Sequence, residues 1–334
     1  MKVFYAAIIL ISLSLIFSSC NSLKEIAGTD EGIQEQGKNQ EESVPQEDKK
    51  EENLKKEKAV LTKEKERMFW KISGKDSSGK ESTVFIQGTI HIGDERLYPI
   101  EQSVIASYLS ADRIVAELSS EDSEMFAEEL FFLTSSSYKK AEGRTVTKEL
   151  SAEQRETLKQ ILDAKTLDFL TLLEPWCMVL AIISAPAKES PLSVDFSLDE
   201  YFSKRAAAEG RTVLGFDTLS GQLESLCSGT YSEQLESLKE ILDGINGGEF
   251  FEKMTAASLA LYNAYLSGDP DRLGELTSGD ERNARWAEQL SSFLDKGGTT
   301  FVYAGCAHWV GEDSVFSVMK KMGVLEEKIQ EGSK

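Results

Sequence analysis

The sequence predicts an α/β fold: a central, largely parallel sheet flanked by many helices. Three observations lead there. Four compact runs rich in β-branched and aromatic residues, at 83–87, 113–117, 212–216 and 299–304, are each closed by glycine or an acidic residue. Such runs suit strands buried on both faces. The stretches between them carry helical periodicity, as crossover connections in a parallel sheet require. Finally, both histidines of the chain, His91 and His308, follow a strand within a Gly-x-x-His pattern near opposite ends of this region. That repetition points to two related halves, each carrying one such motif.

Ahead of the strands, the chain reads as an address. Met1 and Lys2 precede an apolar run over 3–17, which leads into Ser18, Ser19 and Cys20. This order resembles a bacterial lipoprotein signal peptide over residues 1–19, with Cys20 as the lipidated residue. The run is short for a membrane span, although a plain N-terminal membrane anchor is the alternative. Phe17 departs from the usual aliphatic residue at its position. Residues 20–66 hold no aromatic side chain after Cys20 and crowd Lys and Glu together. Such a composition cannot bury enough apolar surface to offset ordering entropy. It is expected to be a charged tether, with the folded domain at 67–330 and the whole held to a membrane outside the cytoplasm, periplasmic or at the cell surface.

Composition sets further bounds. Of 334 residues 40% are hydrophobic, enough for a sizeable core in one large domain. The formal net charge of -20 argues against nucleic acid as a partner, because polyanions are repelled at long range. The four cysteines, Cys20, Cys177, Cys227 and Cys306, show no metal-knuckle spacing. With Cys20 lipidated, at most one disulfide forms among the other three, and its pairing stays open.

In chain order, the strand at 83–87 is followed by the strand at 113–117 and then a helix over 151–162, where Ser151 is a cap backed by Glu153 and Gln154. Pro175 and the stretch 186–191 interrupt helical patterns and mark turns. Helices follow at 199–208, at 232–242 with Leu235, Leu238, Ile241 and Leu242 on one face, and at 250–266.

The chemistry gathers at the two motifs. Phe85-Ile86-Gln87-Gly88-Thr89-Ile90-His91 and Phe301-Val302-Tyr303-Ala304-Gly305-Cys306-Ala307-His308 both run a strand into glycine and then a histidine. Glycine permits a tight turn or close approach, and α/β sheets place functional groups at strand ends. A histidine there serves as a metal ligand or proton shuttle. Either one alone reads as a satisfied core histidine; the matched pair reads as function. Glu117 closes an apolar strand and needs a partner, a proton or a cation.

These segments resemble the TraB/PrgY/GumN/Tiki family, in its GumN-like branch. Gly88 to Pro99 looks like its first GxxH motif and Gly305 to Ser314 its second. Ala116-Glu117-Leu118 matches its acidic strand, and Glu281-Arg282-Asn283 its Glu-Arg-Asn segment, with coverage over 85–323. Asp217, followed by Gln222, stands where many relatives carry glutamate. The resemblance implies a metal-dependent peptidase that uses manganese or cobalt more readily than zinc, with a peptide or protein as substrate. His91 and His308 are then metal ligands, Glu117 a ligand or general base, Arg282 an oxyanion partner, Asn283 its orienting neighbour, and Glu281 part of the same catalytic segment. HExxH is absent, which excludes the ordinary zincin arrangement. Cys306 with His308 offers a less favoured nucleophilic pair. The alternative to an enzyme is a non-catalytic lipoprotein of the same fold that captures a peptide or a haem-like ligand or limits signalling. A purely structural surface protein leaves both motifs unexplained.

Overall fold

The computed structural model describes residues 58–184, 190–277 and 280–327. The expected signal peptide, the lipidated Cys20 and most of the expected tether lie outside the described residues. The chain starts with an antiparallel meander, β1 (Ala59–Lys63), β2 (Phe69–Lys75) and β3 (Glu81–Thr89). Asp76 ties the β2–β3 turn by accepting from the backbone N–H groups of Ser78 and Lys80. After α1 (Gln102–Ser110) and β4 (Arg113–Ala116) comes a helical run: α2 (Ser120–Lys140), α3 (Ala152–Ile161), α4 (Ala164–Leu170), α5 (Pro175–Ser184) and α6 (Leu198–Ala208). Then follow β5 (Val213–Gly215), α7 (Leu219–Leu226), α8 (Tyr231–Asn246), α9 (Phe250–Ser267), α10 (Pro270–Gly274) and α11 (Arg282–Lys296). β6 (Gly298–Gly305), α12 (Val315–Lys321) and β7 (Leu325–Glu327) complete the described chain.

The seven strands form one sheet in the order β5-β4-β6-β3-β2-β1-β7. Four of its pairings are parallel: β5 with β4, β4 with β6, β6 with β3, and β1 with β7. The sheet is therefore largely parallel, as expected. All four predicted strands are present with slightly shifted ends, whereas β1, β2 and β7 were not anticipated. β1 falls inside the expected tether: Ala59 and Leu61 are buried against the core while Val60 and Thr62 face the half-exposed side. The folded body therefore starts before residue 67.

Helices cover both faces. Val104 and Tyr108 of α1 and Phe202 and Ala206 of α6 pack with Phe301 and Tyr303 on one side. Trp286, Leu290 and Leu294 of α11, with Tyr262 and Tyr265 of α9, pack against Ile72, Ile86 and Val302 on the other. A separate helical core joins α3, α5 and α8 through Leu158, Trp176, Met178, Leu238 and Leu242. The predicted cap of α3 is a full capping box between Ser151 and Gln154. Pro175 opens α5 at a first-turn position, where its missing N–H costs no helical hydrogen bond. The stretch 186–191 lies largely outside the described residues. Among the described residues, no helix is long and apolar enough to cross a membrane.

Candidate metal centre

Four adjacent parallel strands, β5, β4, β6 and β3, deliver a polar residue just beyond their C-terminal ends: Asp217, Glu117, His308 and His91 respectively. This edge is where open α/β sheets assemble ligand sites. The two histidine motifs are neighbours but not copies. Thr89 registers with Gly305, so the motifs are offset by one residue, and only His308 lies in a 3-10 turn (Cys306–His308).

Their glycines do different work. A Cβ on Gly88 would meet Cys306 Cβ and Trp70 at 3.1 Å, so glycine there lets the second motif pack onto β3. A Cβ on Gly305 would lie 3.0 Å from Glu117 Oε1, 3.7 Å from His308 Cδ2 and 3.9 Å from His91 Nε2. Glycine at 305 keeps open the space between those three side chains.

His91 is buried, with Nδ1 2.8 Å from Asp199 Oδ2. Asp199 also accepts from Thr89 Oγ1 at 2.5 Å. The Nδ1 and Oδ2 atoms are close without the alignment of a hydrogen bond, so neither has a well-formed partner. Two lone pairs cannot face each other at this distance, so Nδ1 carries a proton towards Asp199. That leaves Nε2 facing Glu117 Oε1 across 4.0 Å. Burial alone pushes the His91 pKa down, but Asp199 and, to a lesser degree, Glu117 overcome it and raise the pKa above the ordinary 6.5. Asp199 is raised by burial but held below its ordinary value by His91 and Thr89. The group therefore attracts positive charge at Nε2. His91, Glu117 and Asp199 each bring one ligand atom within 4.8 Å of the others. One imidazole and one carboxylate facing each other fit a divalent cation. Asp199 would orient the ring from behind, as carboxylates commonly do for metal-bound histidines.

His308, expected as the second ligand, stands apart from that cluster. Its Nδ1 contacts Asn283 Oδ1 at 2.7 Å and its Nε2 lies 3.2 Å from Arg282 Nη2. A guanidinium only donates, so Nε2 accepts, Nδ1 holds the proton and the ring is neutral. Burial lowers the His308 pKa, and the charge of Arg282 adds to that against the pull of Glu117. Asn283 is fixed in turn by donating to the Asp313 carbonyl at 2.8 Å.

Arg282 joins the parts. Asp217 accepts from Arg282 Nη1 at 2.7 Å, and Asp280 holds the other edge of the guanidinium. Glu117 Oε2 lies 3.8 Å from Arg282 Nη1 and 3.4 Å from the donating Gln222 Nε2, while Glu117 Oε1 accepts from Gly305 N at 3.0 Å. Asp217 further accepts from Arg285 Nη2 and Trp286 Nε1, both at 2.8 Å. The departure from glutamate at this position thus still leaves a carboxylate that anchors the arginine. Glu281 is exposed at the start of α11, and the carboxylate that pairs with Arg282 there is its neighbour Asp280.

Cys306 is buried and its thiol is pushed far up by burial, which keeps it protonated and removes the nucleophilic reading. Cys177, Cys227 and Cys306 are all free thiols. The residue missed by sequence reasoning is Asp199. Its signal was a carboxylate within the buried stripe of α6, alongside Leu198, Phe202 and Ala206.

A sequence model described as the TraB/PrgY/gumN family matches residues 68–327. A protein of Treponema pallidum (strain Nichols), bearing only the name uncharacterized protein, is 30% identical over 290 residues, which is 80% of this chain and 84% of that protein. No solved structure matches the chain at a significant level. With nearly the whole folded region matched, and with both histidine motifs and the Glu117 strand end brought to one edge of the sheet, the chain belongs to the TraB/PrgY/gumN family.

Proposed function

We propose that the protein is a divalent-metal-dependent peptide hydrolase. The observation that carries this reading is the approach of buried His91 Nε2 and half-buried Glu117 Oε1 across 4.0 Å, backed by Asp199. Such a donor pair calls for a cation between imidazole and carboxylate, and Gly305 leaves space for one. Manganese or cobalt in preference to zinc rests on the resemblance to Tiki-type relatives.

When bound, the cation supplies Lewis acidity towards a peptide carbonyl and its attacking water. Glu117 acts as ligand or as the base that accepts the water's proton. Arg282, clamped between Asp217 and Asp280, presents a fixed positive charge to a developing oxyanion. His308 and Asn283 position Arg282 instead of holding the metal. A peptide as substrate rests on the resemblance to Tiki-type relatives.

The test is a peptide-library digest with manganese, cobalt or chelator, comparing wild type with Glu117→Gln. Metal-dependent cleavage that disappears in Glu117→Gln supports the reading. Metal binding with no cleavage of any member would replace it by ligand capture without turnover. We further propose a lipid anchor at Cys20 that holds the enzyme outside the cytoplasm. Radiolabelled palmitate incorporated in wild type and absent from Cys20→Ala supports it; equal labelling overturns it.

A further inference from the structure

The solvent face of α2 is unusual for an exposed helix. Met125 (41% exposed), Phe131 (59%), Phe132 (55%) and Tyr138 (60%) all turn large apolar groups outward. They do not scatter. Glu121, Met125, Glu128, Phe132 and Ser135 follow alternating spacings of four and three residues, and Glu124, Phe131 and Tyr138 flank them at spacings of seven. All eight side chains are exposed, so they form one continuous stripe. The opposite side of the helix holds Phe126, which is buried with Leu118, Leu219 and Leu223. At 21 residues, α2 offers a stripe about 30 Å long. Contiguous exposed apolar surface of this kind marks an interaction site.

Charge selects the occupant. Among the described residues, no cation pairs with Glu121, Glu124 or Glu128, and the chain as a whole carries a formal charge of -20. A second copy of this chain brings the same net charge of -20 and is repelled at long range. An apolar membrane surface leaves the carboxylates desolvated and unpaired. Position supplies the other half of the argument. α2 starts three residues after Glu117, so one end of the stripe opens beside the strand ends that carry the buried cluster.

From this geometry we infer that the exposed face of α2 is a docking platform for a cationic, amphipathic polypeptide, laid along the helix with one end at the His91–Glu117 centre. The inference rests on the hydrolase reading for its purpose, since it names the class of peptide that the centre would receive. The aromatic side chains take the apolar face of the partner. The three glutamates take its lysines or arginines.

The test is fluorescence anisotropy on the full chain with a labelled Lys/Leu amphipathic peptide of about 20 residues, matched to the length of the stripe. A Glu/Leu peptide of the same apolar content is the comparison. The Lys/Leu peptide is expected to bind and the Glu/Leu peptide to fail. Phe131→Ser with Phe132→Ser, and separately the triple change Glu121→Gln, Glu124→Gln and Glu128→Gln, each weaken binding by about tenfold or more. These positions are exposed, so folding is preserved, and circular dichroism verifies it. Equal binding of both peptides, or unchanged affinity in both variants, overturns the inference. So does a variant that only dissociates a dimer in sedimentation, or only releases phosphatidylcholine vesicles, with peptide affinity intact. His91→Ala separates the two readings. It abolishes metal binding and leaves docking unchanged, so docking without metal defeats the hydrolase alone, and metal without docking defeats the platform alone.

Discussion

Replacing Asp199 by asparagine removes the charge that governs His91 and keeps the shape. In wild type the carboxylate sits 2.8 Å from Nδ1 in a buried site and lifts the His91 pKa above 6.5 against desolvation. An opposite charge at such range is worth about one to three pH units, so Asp199→Asn should lower the His91 titration midpoint by that amount. The linkage sign follows. A raised folded pKa contributes stability that is fully present below the unfolded value near 6.5 and is lost as pH rises through the folded value. The variant should lose that contribution, so its stability deficit is largest below about pH 6.5 and shrinks at higher pH. Metal affinity should fall about tenfold to a hundredfold, or roughly 1.4–2.7 kcal/mol, as for other carboxylates behind a ligand histidine. The assay is imidazole NMR, which is simple because the chain holds 2 histidines. One signal should titrate above 6.5 and move down in the variant, while the His308 signal stays low. A His91 midpoint unchanged by Asp199→Asn would refute the electrostatic argument.

Gly305→Ala should put a methyl group 3.0 Å from Glu117 Oε1 and weaken metal binding at least tenfold in a calorimetric titration, with a stability loss of about 1–3 kcal/mol from overpacking. Asp217→Asn keeps an acceptor for Trp286 but removes the charge between Arg282 and Arg285; urea denaturation should show a loss of about 1–3 kcal/mol, below the full cost of a buried pair because Arg282 keeps Asp280 and some solvent. Asp280 is held below its ordinary value by Arg282 despite partial burial, so the stability it contributes is present above the unfolded carboxylate pKa and lost as pH falls through the folded one; Asp280→Asn should flatten that acid limb in pH-dependent melting. Among Cys177, Cys227 and Cys306, thiol titration of the native protein should label the partly exposed Cys227 first, because Cys306 is buried and Cys177, pushed up to about 12 by burial, is buried as well.

The parts of the fold legible in the sequence were those whose signal is local and dense. β3, β4, β5 and β6 announce themselves because their apolar runs are compact, and α3 because Ser151 and Gln154 complete a capping box within four residues. β2 was missed because Phe69-Trp70-Lys71-Ile72 mixes an exposed-side lysine into the run, and β1 because its short alternation is drowned by charged neighbours. The site shows the same division. Glu117, Arg282 and Asn283 were visible as polar residues where the pattern demanded apolar ones or matched a motif. Asp199 was not, because an acidic residue in the first turn of a helix ordinarily serves the helix dipole. Only the meeting of α6 with the end of β3 turns it towards His91. The equal appearance of the two GxxH motifs suggested equal roles. Contacts from α11, the helix that precedes β6, decide otherwise by giving His308 to Asn283 and Arg282.

The central claim is that His91 and Glu117, with Asp199 behind the imidazole, form the cation site and that His308 does not belong to it. Calorimetric titration of manganese into chelator-treated protein above the His91 midpoint tests it most directly, across wild type, His91→Ala, Glu117→Gln and His308→Ala. The account predicts one site in wild type, its loss in His91→Ala and Glu117→Gln, and its retention in His308→Ala. Absence of binding in wild type, or a loss in His308→Ala as complete as in His91→Ala, would contradict it.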